Sequence, residues 1–539
     1  MKRILFVLCN LLLAHILCAG IHTYTSHSVL KDGNAMKVRI SETGVHAISY
    51  DTLQAWGFNP DSVRVLGYGG AMLSENFSQA HHDDLPSVAF YMHKGDDGKF
   101  GKGDYILFFA QGVTKWHMRT NGTWAHTRNP YSKYGYYFIS DTAGKQRIIA
   151  TADANNAASD INTIDVDWYM YHDVHEEDSI NLVDRNGVNG GGREFYGEQI
   201  TSRMHTRKIS FPTSNVRTNK EATCRVNLAG TTGEATKISV NYGSNSATST
   251  IPAINVSDFY TKAEMDSVTL IAKPTTTGAQ KVKLQFVSGP QTADVRLNFV
   301  ALSVPCDLIM TGDAMLITNT AHLGEYPYIR FSMRGASAQT QIWRITDGVN
   351  IEQMPTQLTN GVITWVGNNT SAERYIAINP SANNWKNVKS VGKVTPQDLH
   401  KLENIDYVII CPTDFVAPAT RLAEKHEEVD GLTWAVVTDE QVYNEFSSGT
   451  PDATAYRWLM KMLYDRANGD KNRQPKSLLL MGDGTFDNRS LLPRSGTNTL
   501  LTYQAKNSTV ETMAYATDDY FGFMSDNAGV SNGEFNDVR

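Results

Sequence analysis

The pattern of apolar and polar positions changes once along the chain, near residue 395. Before that point the two kinds of residue alternate in short runs, of which residues 237–242, 282–286 and 295–299 are the clearest. A period of two is typical of strands with one buried face, and turns rich in Gly, Ser and Thr separate these runs. The pattern therefore predicts an antiparallel, sandwich-like region over residues 165–390.

Alternation also covers the first part of the chain. Residues 88–92 and 105–109 are apolar and aromatic, and they flank a turn-rich segment that is typical of a long hairpin. A small, polar run over residues 150–159 then has the composition of a linker. These features predict a separate β-rich N-terminal domain over residues 21–150.

Beyond residue 395 the apolar runs become continuous or recur at helical spacing. Short continuous runs, which suit strands buried on both faces of a parallel sheet, are 407–410, 434–437 and 478–481. Between them, residues 415–429 and 451–467 place their apolar side chains on one helical face. This order predicts an α/β domain over residues 395–539, with a parallel sheet and right-handed crossovers.

Candidate caps mark the starts of both predicted helices. Asp414 precedes the first helix. Thr450, Pro451 and Asp452 open the second helix with a capping residue, a proline at the first helical position and an acid in the first turn.

The overall charge excludes nucleic acid as a partner. The 539 residues carry a formal net charge of −7, and no basic block interrupts them. Phosphate backbones are bound by clustered positive charge, which this sequence lacks. A hydrophobic fraction of 41% is otherwise ordinary for a globular protein of several domains.

The N-terminus has the form of a secretory signal peptide, predicted over residues 1–20. Lys2 and Arg3 precede a mostly apolar stretch, and cleavage is expected after Ala19 or Gly20. A membrane anchor is disfavoured because the apolar stretch is shorter than the roughly 20 residues of a membrane-spanning helix. The sequence therefore predicts an exported protein.

Three cysteines would remain after signal removal: Cys224, Cys306 and Cys411. They are odd in number and far apart, so no disulfide scaffold is predicted. In an exported protein, however, two of them could form a single disulfide bridge. A nucleophilic Cys411 would need a nearby imidazole, and His400 and His426 are the histidines beyond residue 390. Cys411 ends an apolar run, which favours a buried core residue, and a Cys411–His426 dyad is the disfavoured alternative.

In open α/β sheets, functional sites collect at the carboxyl ends of the strands. Asp414, Asp439 and Asp483 follow the three predicted strands of the α/β domain. They could form the polar rim of a substrate cleft, or they could cap the elements that follow. Capping is favoured for Asp414 and Asp439, whereas the position of Asp483 between two glycines leaves both interpretations open.

Two groups of residues could bind a metal ion. His81, His82, Asp83 and Asp84 are consecutive, but adjacent histidines on a loop rarely converge on one ion. The C-terminal tail groups oxygen ligands that suit calcium, without EF-hand spacing, so a solvated acidic loop is favoured. Its members are Asp518, Asp519, Asp526, Asn527, Glu534 and Asp537. No metal site and no cofactor is therefore predicted, with calcium as the alternative.

Several longer segments carry a resemblance to a known family. They are NEFSSGTPDATAYR, KMLYDRA, LLLMGDGTFDNR and YATDDYFGFMSDN in the C-terminal part, and ISETGVHAISYDTLQAWGFNP, RVLGYGGAMLSE, GDYILFFAQG and EEDSINLVDRNGVNGGGREFYGE before them. Together they resemble the gingipain family of cysteine peptidases, in the form of the sortase-type homologues of the type IX secretion system of Bacteroidota. The resemblance covers nearly the whole chain after the signal peptide.

The resemblance implies a caspase-like α/β peptidase domain behind β-rich N-terminal domains. It implies a Cys–His dyad that removes the C-terminal sorting domains of cargo proteins, followed by transfer of the cargo to an anionic lipopolysaccharide. The implied partners are these cargo proteins, other secretion components and lipopolysaccharide. The implied location is the outer membrane or cell surface rather than the periplasm.

The sequence departs from the family pattern at its end. In the family the catalytic histidine and cysteine come well downstream of the DDYFG segment, so the dyad is expected beyond Arg539. No catalytic residue is assigned within the chain, which is expected to hold only the first half of the peptidase domain and to be inactive alone. The alternative is a non-catalytic surface or scaffold protein with a degenerate peptidase domain.

Overall fold

The computed structural model describes residues 22–142, 144–185, 188–320, 322–527, 529–530 and 536–538. The predicted signal peptide lies outside the described residues. Strands outnumber helices among the described elements and pair mostly antiparallel, and an α/β region with a small parallel sheet follows the β-rich part. The predicted fold class is thereby confirmed.

The N-terminal domain is a sandwich of two sheets, named here the N-terminal sandwich. One sheet contains, in order, Lys389–Val394, Ala35–Ile40, Gly135–Ser140, Arg64–Leu66 and Ser87–Val88. The other contains Lys386–Asn387, Gly44–Ser49, Tyr105–Ala110 and Phe90–His93. Outside the sheets lie the helix Tyr50–Ala55, the 3-10 turn Pro60–Ser62 and the hairpin Thr114–Met118 with Trp124–Arg128. Side chains such as Val38, Phe108 and Ile139 fill the space between the sheets.

Two strands of this sandwich come from far along the chain. Lys389–Val394 pairs antiparallel with Ala35–Ile40, and Lys386–Asn387 pairs parallel with Gly44–Ser49. The domain boundary predicted at residue 390 falls inside the first of these strands. Its side chains are almost all exposed, so its sequence lacks the alternation of a half-buried strand. The position of this segment is therefore determined by backbone pairing with Ala35–Ile40 and not by burial of its side chains.

The middle of the chain forms four more sheets around one continuous core. The first sheet contains, in order, Ala150–Thr151, Glu352–Gln353, Gln341–Arg344, Arg374–Ile378 and Ala314–Thr318. The second contains Thr163–Val166, Tyr328–Arg334, Val362–Asn368 and Gln357–Thr359. The third sheet contains Trp168–His175, Val295–Asp307, Ala222–Gly230 and Glu264–Ala272. The fourth contains Thr206–Phe211, Gln280–Ser288, Thr236–Tyr242 and Asn245–Ile251. Gln199–Ile200 adds to the edge of Val295–Asp307. Apolar side chains from all four sheets share the core.

The α/β region has a three-stranded parallel sheet in the order Trp434–Thr438, Tyr407–Cys411, Ser477–Leu480. Its helices are Val416–Asp430, Asp439–Phe446 and Thr454–Arg466, and its 3-10 turns are Leu399–Lys401, Thr413–Phe415, Glu511–Met513 and Asp519–Gly522. The central strand is fully buried, as predicted, whereas Ser477–Leu480 is only half-buried at the edge of the described sheet. The helix Asp439–Phe446 was not predicted.

The caps differ from the prediction. Asp414 lies exposed in a 3-10 turn, and the following helix has no side-chain cap. Asp439 is the first residue of its helix, and the cap is the preceding Thr438, which forms a capping box with Gln441. Thr450 donates its hydroxyl hydrogen to the Gly69 carbonyl, 3.1 Å away in the N-terminal sandwich. The three predicted caps are therefore wrong.

The helix Thr454–Arg466 joins the α/β region to the N-terminal sandwich. Its residues 454–463 are all buried, which is the pattern of a helix enclosed on every side. Leu73, Phe77 and Tyr131 of the N-terminal domain belong to the same core cluster as Trp458. The two parts thus fold against each other rather than as separate bodies. No helix of the described residues combines the length and apolar character that crossing a membrane requires.

Candidate functional site at the carboxyl edge of the parallel sheet

The carboxyl ends of the parallel strands meet at one edge of the sheet. Cys411 is opposite Thr438, and Ile410 is opposite Leu480, so the residues that follow these strands are neighbours. Asp439 stands in the first turn of the helix after Thr438, where a carboxylate also faces the positive end of the helix dipole. Burial raises its pKa to about 6 despite the opposing effect of the Glu440 backbone N–H.

The N-terminal sandwich contributes a cation beside this edge. Lys37, on strand Ala35–Ile40, is buried, and its Nζ lies 2.7 Å from Glu440 Oε1 and 3.0 Å from Asn444 Oδ1. The ammonium also lies 4.8 Å from the centre of the Tyr136 ring. Burial lowers the pKa of Lys37, and the Glu440 carboxylate acts against that shift. The ammonium therefore fixes the helix Asp439–Phe446 to the sandwich.

The third strand end leads into a tightly packed loop. A side chain at Gly482 would meet Leu500 at 2.8 Å, and one at Gly484 would meet Thr502 at 2.4 Å. The close approach of the two segments explains both glycines. Asp483 lies between them and accepts a hydrogen bond from the Gly484 N–H, 2.8 Å away. The carboxylate of Asp483 thus has a local partner of the kind that a turn residue commonly has.

The structure does not bring the candidate thiol and imidazole together. Cys411 is fully buried, and its Sγ lies 3.9 Å from the Val437 carbonyl oxygen. His426 Nδ1 lies 2.7 Å from Asp430, and its ring packs edge-on against Tyr407. Tyr407 is four residues from Cys411 along the strand, or about 13 Å at the usual rise. Within the described residues, Cys411 is a core side chain with no histidine partner.

All three cysteines are free and buried, and burial raises the pKa of each thiol, to about 12 for Cys224 and Cys306. The single bridge that the sequence left open is therefore not formed. Since thiolate is the reactive form, we expect residues 21–539 to be nearly inert toward a thiol reagent such as DTNB at pH 8. Denaturation should release all three thiols. Rapid reaction of one thiol in the native protein, lost in Cys411→Ala, would contradict the core assignment of Cys411.

The consecutive residues His81, His82, Asp83 and Asp84 have separate partners. The His81 ring stacks on Trp458 with centroids 4.0 Å apart, and burial lowers its pKa to about 3. The His82 ring lies 5.1 Å from that of Tyr68. Asp83 faces His400, and Asp84 accepts hydrogen bonds from the Val29 N–H and the Ser28 hydroxyl. His81 and Asp83 therefore connect the N-terminal domain to the α/β region, whereas His82 and Asp84 have partners within the N-terminal domain.

A buried histidine–glutamate pair is the main feature that the sequence did not predict. His400 and Glu445 are both fully buried, and His400 Nδ1 lies 2.6 Å from Glu445 Oε2. The other ring nitrogen is 3.2 Å from Asp83 Oδ1 of the N-terminal domain. Burial alone would lower the pKa of His400, but the hydrogen bonds to Asp83 and Glu445 outweigh it and raise the pKa to about 10. His400 is thus a buried cation between two carboxylates.

Three described carboxylates of the acidic tail have separate partners. Asp519 accepts a hydrogen bond from Asn536, and Asp537 accepts one from the Met524 N–H. Asp526 lies 2.8 Å from the Lys461 ammonium, which also contacts Asp465. Asp518 is exposed, and Glu534 lies outside the described residues. Asp526 thus contacts the helix Thr454–Arg466, whereas Asp519 and Asp537 have partners within the tail. Calcium binding by the tail stays a prediction.

Comparison with known proteins agrees with this architecture. Residues 400–538 match the model of a family described as Peptidase family C25. A crystal structure of dimeric latent PorU from Porphyromonas gingivalis aligns with a TM-score of 0.81 and 27% sequence identity, covering 95% of this chain and 48% of that one. The C-terminal region is therefore similar to peptidase family C25, and the resemblance to the gingipain family is confirmed. The chain as a whole is PorU-like, and it spans about half the length of that protein.

Two further structural matches are weak. A carbohydrate-binding module CBM36 in complex with calcium and xylotriose aligns at 16% identity and a TM-score of 0.17, over 24% of this chain and 98% of that one. The CBM36-1 domain of a multidomain xylanase from the hindgut metagenome of Trinervitermes trinervoides aligns at 10% identity and a TM-score of 0.15, over 24% of this chain and 96% of that one. Scores this low support no argument about fold or function. A comparison with curated proteins found no match.

Proposed function

We propose that this chain is part of a sortase-type cysteine endopeptidase of a type IX secretion system. The enzyme removes the C-terminal sorting domains of exported cargo proteins and transfers the cargo to a lipopolysaccharide at the cell surface. The observation that carries the proposal is the likeness to PorU, which extends over 95% of the chain and includes both the β-rich part and the C25 domain.

The proposed reaction is acyl transfer through a thioester. A cysteine thiolate attacks the carbonyl carbon of the scissile peptide bond, and the released amine, which leaves with the sorting domain, takes a proton from the partner histidine. An amine of the lipopolysaccharide then attacks the thioester in place of water, forms a new amide bond and regenerates the thiol. The proposed partners are therefore cargo proteins, lipopolysaccharide and other secretion components, at the outer membrane or cell surface of an exported protein.

In the proposed reaction, the role of the described residues is structural. Lys37 and the loop around Ser448 join the N-terminal sandwich to the helices behind the carboxyl edge of the sheet. Ser448 Oγ accepts hydrogen bonds from the Tyr68 and Gly69 N–H groups at 2.9 and 3.1 Å. A dyad needs such fixed surroundings, because reacting groups must be held within fractions of an ångström. The family resemblance, in which the dyad follows the DDYFG segment, is what supports a dyad downstream of the described residues.

The test is an assay of residues 21–539 against a cargo sorting-domain peptide, beside a protein extended through the downstream reading frame. We expect cleavage and amine transfer from the extended protein alone. Cys411→Ala and Cys224→Ala in the extended protein serve as matched controls, because both remove a buried thiol, and each should leave thiol-dependent activity in place. Activity of the shorter protein that disappears in Cys411→Ala would refute the proposed location of the dyad.

The second candidate is a non-catalytic surface or scaffold protein with a degenerate peptidase domain. The burial of Cys411, which leaves the described C25 residues without an accessible thiol, is the observation in its favour. An inactive extended protein that still binds cargo at the cell surface would support this candidate over the enzyme.

A further inference from the structure

A histidine and two glutamates come together in the middle β region, far in sequence from the peptidase domain. His175, Glu177 and Glu198 each offer one ligand atom, and these atoms all lie within 4.8 Å of one another. His175 and Glu198 are half-buried, and Glu177 is exposed. This group, named here the His–Glu cluster, takes no part in the proposed peptidase reaction.

The backbone holds the three residues in place. His175 ends strand Trp168–His175, which pairs with Val295–Asp307, and the short strand Gln199–Ile200, next to Glu198, pairs further along the same edge. Between them, a side chain at position 197 would lie 2.7 Å from the Glu177 carbonyl oxygen, so the close contact needs Gly197. His175 thus lies on a paired strand and Glu198 directly precedes one, whereas Glu177 follows the first strand in a short connection.

One oxygen of the cluster lacks a partner. His175 Nε2 lies 2.5 Å from Glu198 Oε1. The other oxygen of that carboxylate, Oε2, is buried and has no hydrogen-bond partner in the described part of the chain. An unpaired buried carboxylate oxygen is costly, which makes it a point where a ligand would be stabilising. Among the described residues, neither Glu177 nor Glu198 forms an ion pair with a lysine or arginine, although the charge of Arg207 helps to hold the pKa of the Glu198 carboxyl below its ordinary value.

We propose that the His–Glu cluster binds one divalent transition-metal ion of the zinc class. One imidazole and two carboxylates form a three-ligand set with an open fourth position, as zinc accepts. An imidazole ligand favours zinc, nickel or copper over calcium and magnesium, which take oxygen ligands almost alone. The unpartnered Glu198 Oε2 and the exposed Glu177 carboxylate supply the negative charge that such an ion needs.

The geometry requires only a small rearrangement. Zinc–ligand bonds are about 2.0–2.2 Å, so ligand atoms in a tetrahedral shell lie about 3.4 Å apart. His175 Nε2 and Glu198 Oε1 must therefore separate by about 1 Å, while Glu177, whose side chain is exposed, moves inward. The ion replaces the hydrogen that the two groups now share, and this proton is released to solvent.

The test is zinc titration of metal-free residues 21–539 by calorimetry, with cobalt absorbance as a second measurement. Glu198→Gln keeps the size and hydrogen-bonding capacity of the side chain but removes its charge, and His175→Gln removes the imidazole. Each variant should lose one bound ion relative to the unchanged chain, or bind it at least tenfold more weakly. Because the chain has 15 histidines, the difference in stoichiometry, not total binding, is the deciding quantity.

Two controls keep the result specific. Glu176→Gln changes the adjacent carboxylate, which contacts His126, and His205→Ala removes an exposed histidine outside the cluster. Both should bind zinc as the unchanged chain does, and circular dichroism should show that all four variants are folded. The proposal is overturned if Glu198→Gln binds as many zinc ions, as tightly, as the unchanged chain does. It is also overturned if Glu176→Gln loses as much zinc binding as Glu198→Gln. Equal affinity for calcium would also overturn it.

Discussion

Replacing Glu445 with alanine is expected to lower the free energy of unfolding of the C25-like residues 400–538, named here the peptidase region, by about 3–5 kcal/mol. That is the usual result of breaking a buried ion pair. Glu445 accepts hydrogen bonds from the Leu399 and His400 N–H groups and from the Gln397 side chain, and it contacts the His400 ring. Alanine would leave these donors unsatisfied and would remove one of the two carboxylates that hold the His400 cation. The loss should therefore exceed that of any surface glutamate.

Urea denaturation followed by tryptophan fluorescence measures this effect. A chain of several domains need not unfold in one step, so the midpoint of the transition that involves the peptidase region is the quantity to compare. Glu428→Ala is the matched control, since that side chain is 72% exposed and pairs only with exposed Lys425. Its effect should stay within about 0.5 kcal/mol. A loss below about 1 kcal/mol in Glu445→Ala would show that the pair contributes little.

The same pair gives a pH dependence with a definite sign. The pKa of His400 is raised to about 10 in the folded protein, above the ordinary value of 6.5. The protonated imidazole therefore contributes stability that is fully present below about pH 6.5 and is lost as the pH rises toward 10. We expect a fall in the midpoint between pH 7 and pH 10 that is smaller in His400→Gln. Identical pH profiles for the two proteins would contradict the raised pKa.

Trp458→Ala is expected to destabilise the same region by about 3–5 kcal/mol, because it opens a cavity that the surrounding side chains cannot fill. The indole is 2% exposed, stacks on His81, and packs edge-on against Phe77 with ring centroids 4.6 Å apart. Two of these three rings come from the N-terminal domain. The substitution should therefore loosen the contact between the sandwich and the peptidase region as well as the helix itself.

Limited proteolysis and thermal denaturation distinguish these outcomes. We expect Trp458→Ala to show a lower transition temperature and faster cleavage between residues 385 and 405, where the chain leaves the sandwich. Phe415→Ala, at a side chain that is 38% exposed in the same region, provides the comparison and should behave as the unchanged protein does. Equal effects of the two substitutions would mean that the aromatic contact adds little to the stability of the region.

The sequence predicted the elements whose signals are local. The run 407–410 became the fully buried central strand, since a continuous apolar stretch suits a parallel sheet covered on both faces. The helix Asp439–Phe446 was missed although Thr438 and Gln441 have the spacing of a capping box, which could have revealed it. Its short length hid the apolar periodicity on which helix prediction depends.

Features that depend on distant partners could not be predicted. Thr450 resembles a helix cap, but its hydroxyl bonds to Gly69 in another domain. His400 and Glu445 are 45 residues apart, and no pattern in either neighbourhood indicates that their side chains meet. The candidate metal residues 81–84 separate because each side chain meets a different element of the fold. In each case the tertiary partner decides the role of the residue.

The return of the chain to the N-terminal sandwich has a consequence for biosynthesis. Strands Lys389–Val394 and Lys386–Asn387 complete its two sheets, so the sheets keep one edge unpaired until residue 394 has been made. Throughout the synthesis of the whole middle region, the nascent protein therefore displays an open strand edge on which foreign strands could pair. We therefore expect the folding of such a protein to depend more on a chaperone that shields strand edges than the folding of a chain whose domains close one after another.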